Sequence, residues 1–215
     1  PMIKAVFWDF GGVITSSPFE AFNNFEKDNN LPVDFLRQVN STNPNNNAWA
    51  KLERSEVSLD EFDFLFEEES SSLGHAVKGK EVISLLQGQV RPEMVKAIQK
   101  IQGNLIQACL TNNIQSLKEE TFEEGNVSVS GKHDVIMELF DFVIESSKVN
   151  LRKPDPAFYK MACEKARIEP SEAVFLDDLG INLKPAKILG METIKVINST
   201  DALQELQKLI SIKIL

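Results

Sequence analysis

Ala5-Val6-Phe7-Trp8-Asp9-Phe10-Gly11-Gly12-Val13 decides the fold. Its opening run is apolar and uncharged, which reads as a strand buried on both faces. The run stops at one carboxylate, and two glycines follow closely. A strand that delivers an acid into a glycine-permitted turn places it at the carboxyl edge of an open sheet, where ligands of α/β folds bind. Taken alone, Asp9 could equally begin an ordinary turn. The rest of the chain decides between the two.

Downstream of residue 91 the pattern alternates between strand and helix. Arg91-Pro92-Glu93 starts a helix with Val95, Ile98 and Ile101 on one side, and Leu105 to Leu110 is a short apolar strand. A helix through Ile136, Leu139 and Phe140 leads to a strand at Phe142-Val143-Ile144. Asp155-Pro156 pairs an N-cap with proline at the first helical position, ahead of Phe158, Met161 and Ala162. Ala173 to Leu176 is a strand, Asn182 to Leu189 a helix closed by Gly190, and Thr193 to Ile197 the last strand. Leu203, Leu206 and Ile210 mark the final helix. Such alternation predicts an α/β, Rossmann-like parallel sheet with helices on both faces.

Between the first strand and this region the sequence reads differently. Phe19, Phe22 and Phe25 share a helical face, Asn29-Asn30-Leu31-Pro32 breaks it, and Val33 to Val39 forms a second short helix. Residues 41–47 are a turn-rich loop, and Ala48 to Arg54 is weakly helical. Ser58-x-x-Glu61 is a capping box ahead of Phe62, Leu65 and Phe66. No stretch there reads as a strand. The expected organisation is a core of residues 1–16 and 91–215, with residues 17–90 inserted as an all-helical cap over the strand ends. Ser16-Ser17 and Gln87-Gly88-Gln89 are its two crossings, small or flexible enough to serve as hinges.

Bulk properties narrow the function. The 215 residues suit one large domain or a core with a smaller companion. The net charge of −9 and isoelectric point of about 4.9 argue against nucleic-acid binding, which depends on Lys and Arg neutralising phosphates. A small anionic substrate held by one or two placed cations is compatible with them. Cys109 and Cys163 lie in apolar-periodic stretches and read as reduced, buried thiols, which points to a reducing, cytoplasmic setting. No run approaches the length of a membrane span, and the chain opens on a strand rather than a signal peptide. Pro1 ahead of Met2 reads as an addition before a natural start. Nothing in the sequence indicates an oligomeric state.

Three further segments carry polar residues to the same sheet edge. Thr111-Asn112-Asn113 ends one strand with a hydroxyl and amides, donors that add no charge, although a helix cap would also use them. Arg152-Lys153-Pro154-Asp155-Pro156 puts a lysine just before a helix, where macrodipoles favour acids instead. Asp177-Asp178 ends another strand with two carboxylates that repel unless a cation or donors compensate them. Together the four segments supply a nucleophilic carboxylate, anion donors, a cation and an acidic pair. Those are the parts of phosphoryl transfer through an aspartyl-phosphate, with Mg²⁺ held by oxygen ligands.

In this order, Asp9-x-Gly-Gly-Val, Thr111-Asn112-Asn113, Lys153-Pro154-Asp155-Pro156 and Asp177-Asp178-Leu179-Gly180-x-Asn182-Leu183-Lys184 resemble the four motifs of the haloacid dehalogenase superfamily. The run Phe175 to Ala186 resembles most the N-terminal phosphatase domain of soluble epoxide hydrolase and the similar domain fused to some acyl-CoA dehydrogenases. The resemblance covers the whole chain. It implies Asp9 as nucleophile, with Thr111, Asn112 and Lys153 on the phosphate of a small substrate. It also implies Mg²⁺ between Asp9, the Gly11 carbonyl and Asp178, with Asp177 beside it. With Leu215 as the last residue, no epoxide-hydrolysing domain is expected.

One position departs from the superfamily's phosphatase pattern. The second Asp, two residues after the nucleophile, serves there as acid and base, and here it is Gly11. General acid–base catalysis is worth about 10²–10⁴-fold, so the expectation is a slow or narrow phosphatase. His75 could stand in for the acid in principle, although a lone His reads more simply as packing or surface, and His133 is no better placed. Two other readings remain open at this stage: a phosphate-binding or regulatory module without turnover, and metal-free carbon–halogen hydrolysis, which the Asp177-Asp178 pair disfavours.

Overall fold

The architecture was analysed on a computed structural model that describes residues 1–114 and 134–215. His133 lies outside the described residues. Strand β1 (Ala5–Trp8) is buried at every position. Its side chains alternate between the two sides of the sheet: Ala5 and Phe7 join one apolar cluster, and Val6 and Trp8 the other. That alternation is why the run carries no charge.

Helices follow β1 directly, as the sequence predicts: α1 (Phe19–Asp28), α2 (Phe35–Ser41), α3 (Ala48–Glu53), α4 (Leu59–Ser72) and α5 (Gly79–Ile83), then a 3-10 turn at Ser84–Leu86. The predicted capping box is present, with the Ser58 hydroxyl accepting from Glu61 N and the Glu61 carboxylate accepting from Ser58 N. Helix α2 starts two residues later than its sequence pattern, because Asp34 is left-handed (φ +61°) and interrupts the helical path. Its exposed N–H groups are met from another helix, as the buried Glu26 carboxylate accepts from Asp34 N (3.2 Å) and Leu36 N (2.9 Å). Phe22, Phe35, Leu36, Phe62 and Phe66 pack together in an apolar cluster that Ile114, from outside the block, also joins.

Helix α6 (Pro92–Ile101) returns the chain to the sheet at β2 (Ile106–Thr111). A helical turn at 134–137 precedes β3 (Phe142–Glu145) and α7 (Ser146–Val149), followed by α8 (Pro156–Ala166) and β4 (Ala173–Asp177). Next come α9 (Gly180–Leu189), β5 (Glu192–Lys195) and α10 (Ser199–Ile210). The five strands pair in parallel in the order β3-β2-β1-β4-β5. Residues of α6 and α10 pack on the Val6 face, and residues of α8 and α9 on the Phe7 face. Gln107 is the polar exception inside β2; it accepts from Trp8 Nε1 (3.1 Å) and donates to the Ile98 carbonyl (2.9 Å). Both cysteines are buried thiols outside any disulfide, as expected, and burial pushes the Cys163 thiol up to about 11. No helix among the described residues is long and apolar enough to cross a membrane.

The two crossings between sheet and helical block run side by side rather than loosely apart. Thr15 and Val90 form an antiparallel bridge, Ser16 N donates to the Gln89 carbonyl (2.8 Å), and Gln89 N donates to the Ser16 hydroxyl (2.9 Å). Gly88 is required there, since a Cβ would come within 2.8 Å of the Ser16 carbonyl oxygen. On its other side the block is latched at the end of α3. Glu53 pairs with Arg152 Nε (2.8 Å) and accepts from Trp49 Nε1 (2.7 Å), and its carbonyl accepts from the Ser146 hydroxyl (2.7 Å). Ser55 adds a hydrogen bond to the Ser147 carbonyl (2.8 Å).

The Glu53–Arg152 pair is mostly shielded, with side-chain exposures of 9% and 19%. Removing one partner leaves the other desolvated and unpaired, which costs about 1–3 kcal/mol or more. Glu53→Ala should therefore lower urea stability by about that amount. A double-mutant cycle with Arg152→Met should return a coupling energy above about 0.5 kcal/mol. A coupling near zero would mean that the latch contributes nothing.

Candidate active site

From β1 the chain steps outward to β2 and β3, then crosses back to place β4 and β5 on the other side of β1. The crevice between β1 and β4 is thus the switch point of the sheet, where α/β folds bind ligands. Trp8 and Leu176 are register partners, and Asp9 N donates to the Leu176 carbonyl (2.9 Å). Asp9 and Asp177 therefore meet across that crevice. Asp178 completes the group: each of the three carboxylates offers an oxygen within 4.8 Å of the others.

Lys153 enters from the loop ahead of α8, just before a cis Lys153–Pro154 peptide. Its side chain is 1% exposed, and its Nζ lies 2.8 Å from Asp9 Oδ1 and 2.8 Å from Asp177 Oδ2. Asp9 Oδ1 also accepts from Phe10 N (2.8 Å), whereas Oδ2 has no hydrogen-bond donor among the described residues. Asp177 is held all round: Oδ1 accepts from Leu179 N (2.9 Å), Oδ2 from Lys153, and Asn182 Nδ2 approaches both oxygens at 3.4 and 3.2 Å. The solvated lysine that position suggests is instead almost fully enclosed, as is its partner Asp177.

Thr111 ends β2, one strand over from Asp9, and is buried. Asn112 does something its sequence position does not reveal. Its side-chain amide brackets the Lys153 main chain, donating to the Lys153 carbonyl (3.0 Å) and accepting from Lys153 N (2.8 Å). Asn113 ties the same edge to α7, accepting from Ser147 N and Oγ and donating to Glu145. Asp155 caps α8 as predicted, accepting from Ala157 N (2.9 Å).

Burial and crowding set the charge state. Asp9 is raised well above its ordinary value, by desolvation first and the Asp177 charge next, with Lys153 opposing. Asp178 is pushed up to about 6, again by desolvation and then Asp177. Lys153 is raised despite its burial, because Asp177 and Asp9 favour the ammonium. Three carboxylates around one ammonium leave the cluster short of positive charge.

The two glycines after Asp9 differ. Gly12 has φ +85°, and a Cβ there would meet Asp178 Oδ2 at 2.3 Å, so Asp178 lies directly against that turn. Gly11 has no positive φ, and nothing lies within 4 Å of a Cβ built on it. Arg91 Nη1 donates to the Gly12 carbonyl (3.3 Å), a contact that nothing in the sequence announced. His75 packs edge-on against Phe35, at 5.2 Å between ring centroids, and belongs to neither the carboxylate cluster nor the adjoining cleft. That cleft, of about 460 Å³, shares Gly12 and Asp178 with the cluster and extends past Arg37, Arg91 and Lys195.

A divalent cation with a preference for oxygen ligands fits this donor set. The carboxylates are under-compensated, all ligands are oxygens, and Asp177 already spends both of its own on Lys153, Asn182 and Leu179 N. Asp9 and Asp178 are the carboxylates of the cluster that could hold such an ion.

The chain is 33% identical over 216 residues to acyl-CoA dehydrogenase family member 10 of Mus musculus, covering 96% of this chain and 19% of that protein. It is 29% identical over 230 residues to bifunctional epoxide hydrolase 2 of Sus scrofa, covering 99% and 40%. It thus spans well under half the length of either relative. A sesquiterpene phosphatase of Aspergillus oryzae is 23% identical over 213 residues, with 96% of each chain covered. A haloacid dehalogenase (HAD) family enzyme from Bacteroides thetaiotaomicron, solved with magnesium and inorganic phosphate, shares the fold: TM-score 0.62, 20% identity, 95% and 98% of the two chains. The haloacid dehalogenase-like hydrolase family itself matches residues 3–190, a span that holds all four edge segments, and the chain belongs to that family.

Proposed function

We propose that this hydrolase is a Mg²⁺-dependent phosphatase that cleaves a small phosphate monoester through an aspartyl-phosphate on Asp9. The observation that carries the reading is the arrangement around Lys153: one oxygen of Asp9 is fixed by the ammonium and by Phe10 N, and the other accepts from no donor among the described residues. A carboxylate so oriented can attack phosphorus in line. The phosphatase of equal length among the relatives, and the same fold holding magnesium and phosphate in the Bacteroides enzyme, support it.

In this reading Asp9 Oδ2 attacks, Lys153 and the Thr111 hydroxyl stabilise the phosphoryl oxygens, and Asn112 acts through Lys153 by fixing its main chain. Asp177 positions the ammonium rather than binding the metal. Held by Asp9, Asp178 and the Gly11 carbonyl, Mg²⁺ would neutralise charge on the phosphoryl group. The leaving oxygen takes its proton from solvent, since Gly11 offers none. Water then hydrolyses the acyl phosphate and restores Asp9. The division into a core of residues 1–16 and 91–215 and a cap of 17–90 belongs to the same reading, supported by an apolar cluster drawn almost wholly from the block and by the paired crossings.

Metal binding should depend on pH in a defined direction. Asp178, pushed up to about 6, is protonated below that pH and must lose its proton to accept a cation. Calorimetric Mg²⁺ affinity should therefore be high at neutral pH and fall by roughly tenfold per unit below about pH 6. Asp178→Asn should weaken binding at least tenfold. Full affinity in that variant would place the metal elsewhere.

Leaving-group dependence tests the missing acid. p-Nitrophenyl phosphate should be cleaved faster than an alkyl phosphate of similar size, and Asp9→Asn should abolish both activities. The open space and ordinary backbone at Gly11 allow Gly11→Asp to fold, and this variant should raise alkyl-ester turnover by up to about 10²-fold while changing aryl esters little. Equal parent rates on the two esters would assign the proton to another residue. Activity surviving Asp9→Asn would remove the nucleophile assignment. Phosphate analogues that bind without any turnover would favour the binding-module reading.

A further inference from the structure

The cleft beside the carboxylates is lined by three cations from three parts of the chain: Arg37 from α2, Arg91 from the second crossing and Lys195 from the end of β5. Asp178 is the one carboxylate among the lining residues described. No carboxylate among the described residues forms an ion pair with Arg37, Arg91 or Lys195, whereas Arg54, Arg152 and Lys153 are all paired. In a chain of net charge −9 such a concentration of uncompensated positive charge is against the average. Two of the three are also aimed. The Arg37 guanidinium lies over the Phe19 ring, 3.7 Å from its centroid, and Arg91 is tethered to the Gly12 carbonyl.

We infer that the cleft is a subsite for a second anionic group, carried by the leaving group of the substrate. This rests on the phosphatase reading of the carboxylate cluster and names the substrate class: a phosphate monoester whose alcohol bears a carboxylate or another phosphate. Guanidinium groups suit both, since their planar forks match the paired oxygens of either anion. Because Gly12 and Asp178 border both the cleft and the cluster, a phosphoryl group at Asp9 leaves the rest of the molecule pointing toward Arg91, then Arg37 and Lys195. Phe19 and the exposed Ile197 offer apolar contact to the short carbon chain between the two anions.

A three-carbon series isolates the charge: propyl phosphate, 3-phosphonooxypropanoate and propane-1,3-diyl bisphosphate. With Mg²⁺ and the full chain, kcat/KM should be at least tenfold higher for one or both of the charged esters than for propyl phosphate, mainly through KM. Which of the two is preferred separates a carboxylate from a phosphate subsite. Arg37→Leu and Lys195→Met should each shrink that ratio several-fold. A ratio near one in the parent, or one unmoved by both substitutions, overturns the subsite. Binding of propylphosphonate and 3-phosphonopropanoate, read by calorimetry, separates this from the catalytic reading because neither compound can be hydrolysed. Tighter binding of the carboxylated phosphonate without turnover of any ester would keep the subsite and reject the phosphatase. Equal binding alongside normal turnover at the same kcat/KM for all three esters would do the reverse.

Discussion

The ammonium of Lys153, locked between Asp9 and Asp177, is the interaction on which the site depends. A lysine this enclosed is costly to desolvate, and two carboxylates at 2.8 Å offset that cost only while all three stay in place. They come from different elements: β1 brings Asp9, β4 brings Asp177, and the loop before α8 brings Lys153. Asn112, just past β2, fixes the Lys153 main chain from a fourth direction. Charge pairing therefore pins one edge of the sheet, and the same edge is the switch point that topology opens between β1 and β4. Further out the compensation runs short. Asp9 and Asp178 are both pushed toward protonation, the condition in which a divalent cation has most to contribute.

The adjacent glycines show two different kinds of constraint. Gly12 answers to the fold: its φ is positive, and Asp178 occupies the space that a side chain would need. Gly11 answers to neither demand, so nothing steric forbids an acid there. Steric demand therefore does not account for the missing side chain at Gly11. Sequence alone treats the two as one glycine turn, because φ and neighbouring atoms are tertiary quantities.

The same distinction explains what could and could not be read beforehand. The strands were legible because burial on both faces forces apolar runs, and the four polar segments because each follows a strand or opens a helix. Asp9, Lys153, Asp177 and Asp178 were accordingly legible as residue types at one edge. Helix α7 was not, since Ser146 to Val149 is too short to show a period. Nor was the start of α2, which a left-handed Asp34 and the distant Glu26 carboxylate decide. The resemblance implies Asn112 as a phosphate ligand, and its bracket on the Lys153 main chain adds a supporting contact that no local pattern shows. Pairings such as Glu53 with Arg152, or the gathering of Arg37, Arg91 and Lys195, join residues far apart in the chain. No local pattern encodes them.

Two charge imbalances of opposite sign lie side by side in this molecule. Around Asp9 and Asp178 there is too much negative charge for one ammonium; Arg37, Arg91 and Lys195 carry positive charge that forms no ion pair with a carboxylate among the described residues. They meet at Asp178 and Gly12, so a change in either field is felt by the other over a few ångströms, inside the distance at which salt screens. A cation held by the carboxylates removes repulsion that an incoming phosphate would otherwise meet, and an anion in the cleft removes repulsion between the arginines and that cation. Were both ligands bound, each would improve the other's affinity by the same factor, as linkage requires. In the proposed reading the carboxylates would draw the metal and the cleft an anion, and a substrate that met both would bind more tightly than either contact alone provides.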